Sequence, residues 1–267
     1  MAWTVRLPLR LWRIGRLLVH LLWGVILTLR YAGAPAPRWA AVICRWSAGL
    51  LSCLGVALRA DPPPAISTGC LLVSNHVSWL DIYVILATRR VRFVSKAEVR
   101  AWPLVGWFAS RTGTLFLERE KKSAALRIGQ EIGNHLAAGD WVAVFPEGTT
   151  TDGRGMLPFR AFLLQAVLDR DAVVLPAAIR YRDRSGGYTD AAAYFGDMSL
   201  GQSLWRICGA RGLSAQLNFA SPLSPKGASR RTLAVQAETA VRDLAGFPVT
   251  ERDQASSLAA ALTKESA

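Results

Sequence analysis

Three short strings in this 267-residue chain carry side chains able to do chemistry. The first is Asn75-His76-Val77-Ser78-Trp79-Leu80-Asp81. A histidine close to an aspartate can act as a general base: the imidazole takes a proton, and the carboxylate fixes its tautomer and stabilises the imidazolium. The spacing sets a condition. On one continuous helix, residues five apart point about 140° apart and cannot touch. The pair works only if His76 lies in a loop and the helix begins beyond it, near Ser78. The competing reading is structural. Ser78-x-x-Asp81 also has the form of a helix start in which Asp81 satisfies a backbone N–H, leaving His76 an ordinary loop histidine.

The second string is Phe145-Pro146-Glu147-Gly148-Thr149-Thr150-Thr151-Asp152-Gly153. A turn rich in glycine and hydroxyls can present N–H groups to a phosphate. It is not a nucleotide P-loop, because G-x-x-x-x-G-K-[ST] is absent. Glu147 would repel a phosphate, so alone it reads as orienting a cation or a backbone, or as a plain turn carboxylate. The third string runs from Gly113 to Glu120. Arg119, just past an apolar run, is placed to clamp a phosphate in bidentate fashion; its alternative is an ion pair with Glu118, Glu120 or a helix acid.

Regular elements must position these strings. Segments 70–74, 91–95, 113–117, 141–145 and 172–179 read as strands, and 81–88, 98–110, 121–138 and 159–169 as helices. Alternation of this kind predicts α/β, a mostly parallel sheet flanked by helices. His76 and Glu147 each follow a strand, at the edge where α/β sheets bind ligands. Asp61-Pro62-Pro63-Pro64 reads as a stiff linker. It divides an N-terminal segment, 1–60, from a main domain, 61–249, and a tail, 250–267.

In order and setting, these strings resemble the glycerolipid acyltransferase family. That family is recognised by an N-H-x-x-x-x-D block, a G-x-x-F-x-x-R block, an F-P-E-G-T block and a later apolar block ending near a proline. Here they read Asn75–Asp81, Gly113–Arg119, Phe145–Thr149 and Val173–Pro176, over about 100 residues. Glu118 stands where an aspartate is common. The resemblance implies that His76 is the catalytic base and Asp81 its orienting partner. It implies an acceptor-phosphate site of Arg119, Glu147 and Gly148, with Thr149 nearby. It implies direct acyl transfer from acyl-CoA or acyl-carrier protein to the hydroxyl of a lysophospholipid, without metal, cofactor or acyl-enzyme. The first acceptor expected is 1-acyl-sn-glycerol-3-phosphate, giving phosphatidic acid. A lyso-ornithine lipid is the alternative, since its carboxylate also suits Arg119. No G-x-S-x-G nucleophile elbow is present.

Composition narrows the partners. The net charge is +13, and residues 1–60 hold eight arginines and no acid. These arginines are mixed with Leu, Trp, Val and Ile, which favours an anionic membrane surface over a nucleic-acid partner. The apolar run 17–29 falls short of the roughly 20 residues a bilayer crossing needs. A second apolar stretch, 39–58, follows Ala34-Pro35-Ala36-Pro37. The pair predicts a membrane-associated helical hairpin that dips into one leaflet. Arg6, Arg10, Arg13 and Arg16 would meet lipid phosphates. A secretory signal and a hairpin merely packed on the domain are its rivals. Cytosolic thioester donors and the basic flanks point to the cytoplasmic face of a membrane. The four cysteines form no C-x-x-C and read as small buried hydrophobes. Outside enzymes, the remaining readings are a non-catalytic lipid-binding protein and a nucleic-acid binder.

Overall fold

Cys70-Leu71-Leu72-Val73 is apolar at every position, and the strand it forms is covered on both faces, as an interior parallel strand must be. The computed structural model describes residues 6–117, 122–168 and 170–248. Two helices come first, α1 (Leu7–Tyr31) and α2 (Ala36–Leu54). Strands and helices then alternate: β1 (Ala57–Ala60), β2 (Gly69–Ser74), α3 (Leu80–Thr88), β3 (Arg92–Lys96), α4 (Val105–Thr112), β4 (Leu115–Leu117), α5 (Lys122–Ala137), β5 (Trp141–Val144), β6 (Ala172–Arg182), α6 (Leu200–Gly209), β7 (Ser214–Phe219) and α7 (Arg230–Ala245). The sheet order is β1-β7-β6-β2-β5-β3-β4. Every pairing is parallel except β6 with β7.

Side-chain alternation splits the core into two layers. Cys70, Leu72, Ala143 and Ile179 face α2, α3 and α6. Leu71, Val73, Val142 and Val174 face α5 and α7. The alternation read from sequence is thus present, with local differences. Residues 98–110 are not one helix: a 3-10 turn, Ala97–Ala101, precedes α4. Pro103 removes an N–H, and Leu104 adopts φ 60, which stops helical bonding there. The segment 159–169 forms a 3-10 turn over Ala161–Val167 instead of an α-helix. Residues 57–60, placed in the hairpin by the sequence reading, pair with β7 and belong to the sheet. The tail from 250 lies outside the described residues.

The N-terminal helix also differs from expectation. It is 25 residues, begins well before Leu17, and is long and apolar enough to cross a membrane. Its exposed side is the more uniformly apolar one. Its packed side mixes Ile14, Leu17, Leu21 and Leu27 with Arg10, Arg13, His20, Gly24 and Thr28, whereas Leu11, Trp12, Leu18, Val19, Leu22, Trp23, Ile26 and Leu29 are exposed. Two of the four arginines expected to meet lipid point inward. Arg10 Nε donates to Trp205 O at 3.2 Å. Arg13 Nη1 donates to the carbonyls of Cys208 at 3.1 Å and Ala210 at 2.5 Å. The last carbonyls of a helix have no partner within it, and a cation is favourable there. Arg13 also fills the space beside Gly55, which ends α2 at φ +76. All four cysteines are free; Cys53, Cys70 and Cys208 are buried and Cys44 is half-buried.

Candidate active site

β2 stops at Ser74 and α3 starts at Leu80, so residues 75–79 cross the carboxyl edge of the sheet as a loop. The geometric condition read from the spacing is met. Asn75 anchors the loop. Its Nδ2 donates to Ile179 O at 2.9 Å and its Oδ1 accepts from Ile179 N at 2.8 Å. A primary amide offers one donor face and one acceptor face, so this side chain supplies the rung the backbone gives up.

His76 Nδ1 lies 2.8 Å from Asp81 Oδ2. The same oxygen accepts from the N–H of Val77 at 2.7 Å and of Ser78 at 2.9 Å. Oδ1 accepts from the Tyr181 phenol at 2.7 Å. Both sequence readings of Asp81 therefore hold at once: it satisfies loop amides and it holds the imidazole. Asp81 is fully buried, and four donors meet its two oxygens. Because it accepts at Nδ1, that nitrogen carries the proton and Nε2 keeps its lone pair. Nε2 has no protein partner among the described residues. The imidazole side chain is 19% exposed, so the lone pair is reachable. Phe145 stacks on the ring at 3.9 Å between centroids and 5° between planes, fixing its orientation. Burial, reinforced by the Asp81 charge, holds the Tyr181 phenol well above its ordinary pKa, so it stays a donor.

Glu147 is 1% exposed. Its Oε1 accepts from His76 N and its Oε2 from Leu157 N, each at 2.6 Å. Burial pushes its carboxyl up to about 7, against the pull of those two amides. The resemblance implies an acceptor contact for Glu147; its geometry gives it the main chain of the base instead, because both oxygens are taken by amides. Gly148 turns the chain at φ +76, where a Cβ would come 3.1 Å from the Arg160 guanidinium. Thr149 beside it is exposed. Thr151 N donates to His76 O at 2.9 Å, so both peptide groups of the base are tied to this turn. The Thr150 hydroxyl donates to Tyr194 O, and Tyr194 N donates to Val77 O at 2.9 Å. Arg119 lies outside the described residues; β4 ends at Leu117, two residues before it. The sequence reading assigns no role to Tyr181, to Tyr194 or to the ring of Phe145 that opens the second string. Tyr181 had a signal, since Leu175, Ala177, Ile179 and Tyr181 alternate onto one face.

An apolar cavity of about 100 Å³ lies on the same face of the sheet. Its walls include Leu27 of α1, Trp46 of α2, Tyr83 of α3, Phe93 of β3 and Phe108 of α4. Phe93 stands 5.9 Å from Phe145, ring to ring, and Phe145 covers His76. Aromatic rings thus connect the imidazole to the cavity. Among the described residues, no cluster of His, Cys, Asp and Glu is arranged to hold a metal ion.

The family model described as Acyltransferase matches residues 59–180. A 1-acyl-sn-glycerol-3-phosphate acyltransferase of Neisseria meningitidis serogroup B is 36% identical over 188 residues, which is 70% of this chain and 73% of the relative. A lyso-ornithine lipid O-acyltransferase of Pseudomonas aeruginosa is 40% identical over 198 residues, 74% of this chain and 75% of the relative. The crystal structure of the 1-acyl-sn-glycerophosphate acyltransferase PlsC from Thermotoga maritima superposes with a TM-score of 0.67 at 21% identity. It covers 92% of this chain and 97% of that one, and so shares the fold.

Proposed function

This chain belongs to the glycerolipid acyltransferase family, and from that premise we propose that it moves a fatty acyl group from acyl-CoA or acyl-carrier protein to the hydroxyl of a lysophospholipid at a membrane surface. The observation that carries the mechanism is the His76–Asp81 contact at 2.8 Å with Nε2 left open. The acceptor hydroxyl gives its proton to Nε2 as its oxygen attacks the thioester carbonyl. The C–O bond forms, the C–S bond breaks, and the imidazolium returns the proton to the leaving thiolate. Asp81 stabilises the imidazolium in between, and Glu147 holds the loop that aims it. General-base help of this kind is typically worth about 10²–10⁴-fold. Holding acceptor and thioester together adds to this. No cofactor is required by the reaction.

The cavity beside Phe93 receives the apolar part of the transferred chain. Arg119, with the Gly148-Thr149 turn, holds the acceptor's anionic group. The first acceptor is 1-acyl-sn-glycerol-3-phosphate. A lyso-ornithine lipid is the second reading, favoured by the 40% identity to the Pseudomonas aeruginosa relative. The exposed apolar side of α1 supports seating in a membrane. Cytosolic thioesters and the basic N-terminus support a seat on the cytoplasmic face.

The test is acyl transfer measured against a panel of lysolipids, with both donor types, for the wild type and His76→Ala. Transfer to a lysophospholipid that the substitution abolishes supports the reading. If the wild type binds lysolipids but consumes no thioester, the chain is a lipid-binding protein instead.

A further inference from the structure

Two arginines fasten the first turns of α1 to α6. The Arg10 guanidinium lies 4.7 Å from the Trp205 ring centroid and donates to its carbonyl. Arg13 takes the carbonyls at the end of α6. α6 and the loop before it are therefore held to the helix with the apolar outer face. This segment shows an apolar edge of its own. Phe195, Leu200 and Trp205 are 39%, 37% and 38% exposed. Phe195, Met198 and Trp205 line one shallow groove with Asp197 and Arg206. Arg206 is paired with Asp190 at 3.0 Å, so the groove itself is near neutral and the basic charge lies at its flank. At its other end the segment meets the site, through the backbone bonds of Tyr194 to Val77 and to the Thr150 hydroxyl.

Resting on the membrane acyltransferase reading above, we infer that the Phe195–Trp205 edge is a second membrane-contacting element. It seats the mouth of the His76 site on an anionic phospholipid bilayer. Three observations point to a bilayer. The Arg10–Trp205 contact holds the edge beside α1, whose outer side is apolar. The charges of Arg16 and Arg211 both bear on Arg13, so the flank of this surface is basic, and residues 6–60 hold no acid to offset it. Exposed tryptophan and phenylalanine suit the headgroup boundary. An acceptor hydroxyl that stays near its headgroup then meets Nε2 without its chain crossing water.

The test uses the full-length protein with Phe195→Asp and Leu200→Asp combined, residues outside both the His76 site and the arginine clamp. Sedimentation with phosphatidylglycerol-containing vesicles reads binding. Transfer to a vesicle-borne lysolipid is compared with transfer to a water-soluble short-chain acceptor. The expected result is weaker sedimentation and a vesicle rate down on the order of tenfold, with the soluble rate within about twofold. Unchanged sedimentation and rates overturn the proposal. So does an equal loss on both acceptors at unchanged Tm, which makes the edge part of the site. A loss seen only with acyl-carrier protein as donor overturns it in favour of protein docking. If the double variant melts early, Phe195→Ser with Leu200→Ser is read the same way. A wild type that transfers nothing defeats the functional reading, while the sedimentation arm still decides the surface.

Discussion

Tyr181 donates its phenol to Asp81 Oδ1 at 2.7 Å, on the oxygen opposite the one that holds His76. A residue 100 positions along the chain thereby fixes the plane of the carboxylate. Tyr181→Phe keeps the ring and removes the donor. A hydrogen bond to a charged group is worth about 1.5–3 kcal/mol, and Asp81 retains three others. The expected outcome is a fall in kcat of about tenfold, with KM little changed, because the bond matters most when His76 is charged. A fall confined to KM would make Tyr181 a substrate contact instead.

His76→Ala should lower kcat by about 10²–10⁴-fold and leave the fold intact, since the backbone bonds of residue 76 to Glu147 and Thr151 remain. The chain supplies its own control. His135 and Asp140 have the same five-residue spacing and a 2.9 Å Nδ1–Oδ2 contact. That pair lies where α5 turns into β5, at the amino edge of the sheet, and Arg92 shares the carboxylate at 2.8 Å. The Arg92 guanidinium and His135 hold Asp140 below the usual carboxylate range, against its partial burial. His135→Ala should leave kcat within about twofold. Steady-state kinetics on the two variants, with melting curves for both, separates a base from a structural ion pair.

The two histidines show what spacing can and cannot reveal. His-x-x-x-x-Asp occurs twice, and both pairs close, so contact alone was not the informative property. Position was: His76 follows the carboxyl end of a strand, and the Phe145–Thr149 turn follows the next one in the sheet. The interior strands were legible because 70–73 and 141–145 are unbroken apolar runs. The C-terminal part of the fold was not. α7 packs with Ala234, Ala237 and Ala245, small residues that leave a weak periodic signal, and Ser214–Phe219 interleaves Gln216 and Asn218 with its core side chains. The inward turn of Arg10 and Arg13 was hidden for another reason. A carbonyl acceptor leaves no mark in the sequence, so an arginine that ends a distant helix reads like one that meets lipid.

Glu147 predicts a pH dependence. Its carboxyl titrates near 4.5 in the unfolded chain and at about 7 when folded. Between these values the folded state keeps a proton that the unfolded state has released. Stability from this group is therefore full below 4.5 and falls as pH rises to 7. At about 1.4 kcal/mol per unit, the span is on the order of 3 kcal/mol. Glu147→Gln should flatten the stability profile across this window, at a cost of about 1 kcal/mol at its acid end. There, one amide N–H of His76 or Leu157 meets an NH₂. Melting temperatures of the two proteins from pH 5 to 8 read this directly; parallel curves would show that the carboxyl titrates normally.

The arginines of α1 divide into two kinds, and each kind makes a different prediction. Arg13 reaches carbonyls of α6 and packs beside Gly55, so Arg13→Ala should cost about 2 kcal/mol of stability. That is several degrees of Tm in a chain of this size. Vesicle binding should keep its salt dependence, because this charge does not face lipid. Arg6 is exposed, and Arg16 makes none of these carbonyl contacts. At about 1 kcal/mol per basic residue near an anionic surface, replacing both with Ala should weaken vesicle binding by about tenfold or more and reduce its sensitivity to salt. Tm should barely move. Melting curves and vesicle sedimentation at low and high salt, run on both variants, decide the matter. Should Arg13→Ala loosen the protein from vesicles at an unchanged Tm, the guanidinium faces the bilayer, and α6 is held to α1 by Arg10 and packing alone.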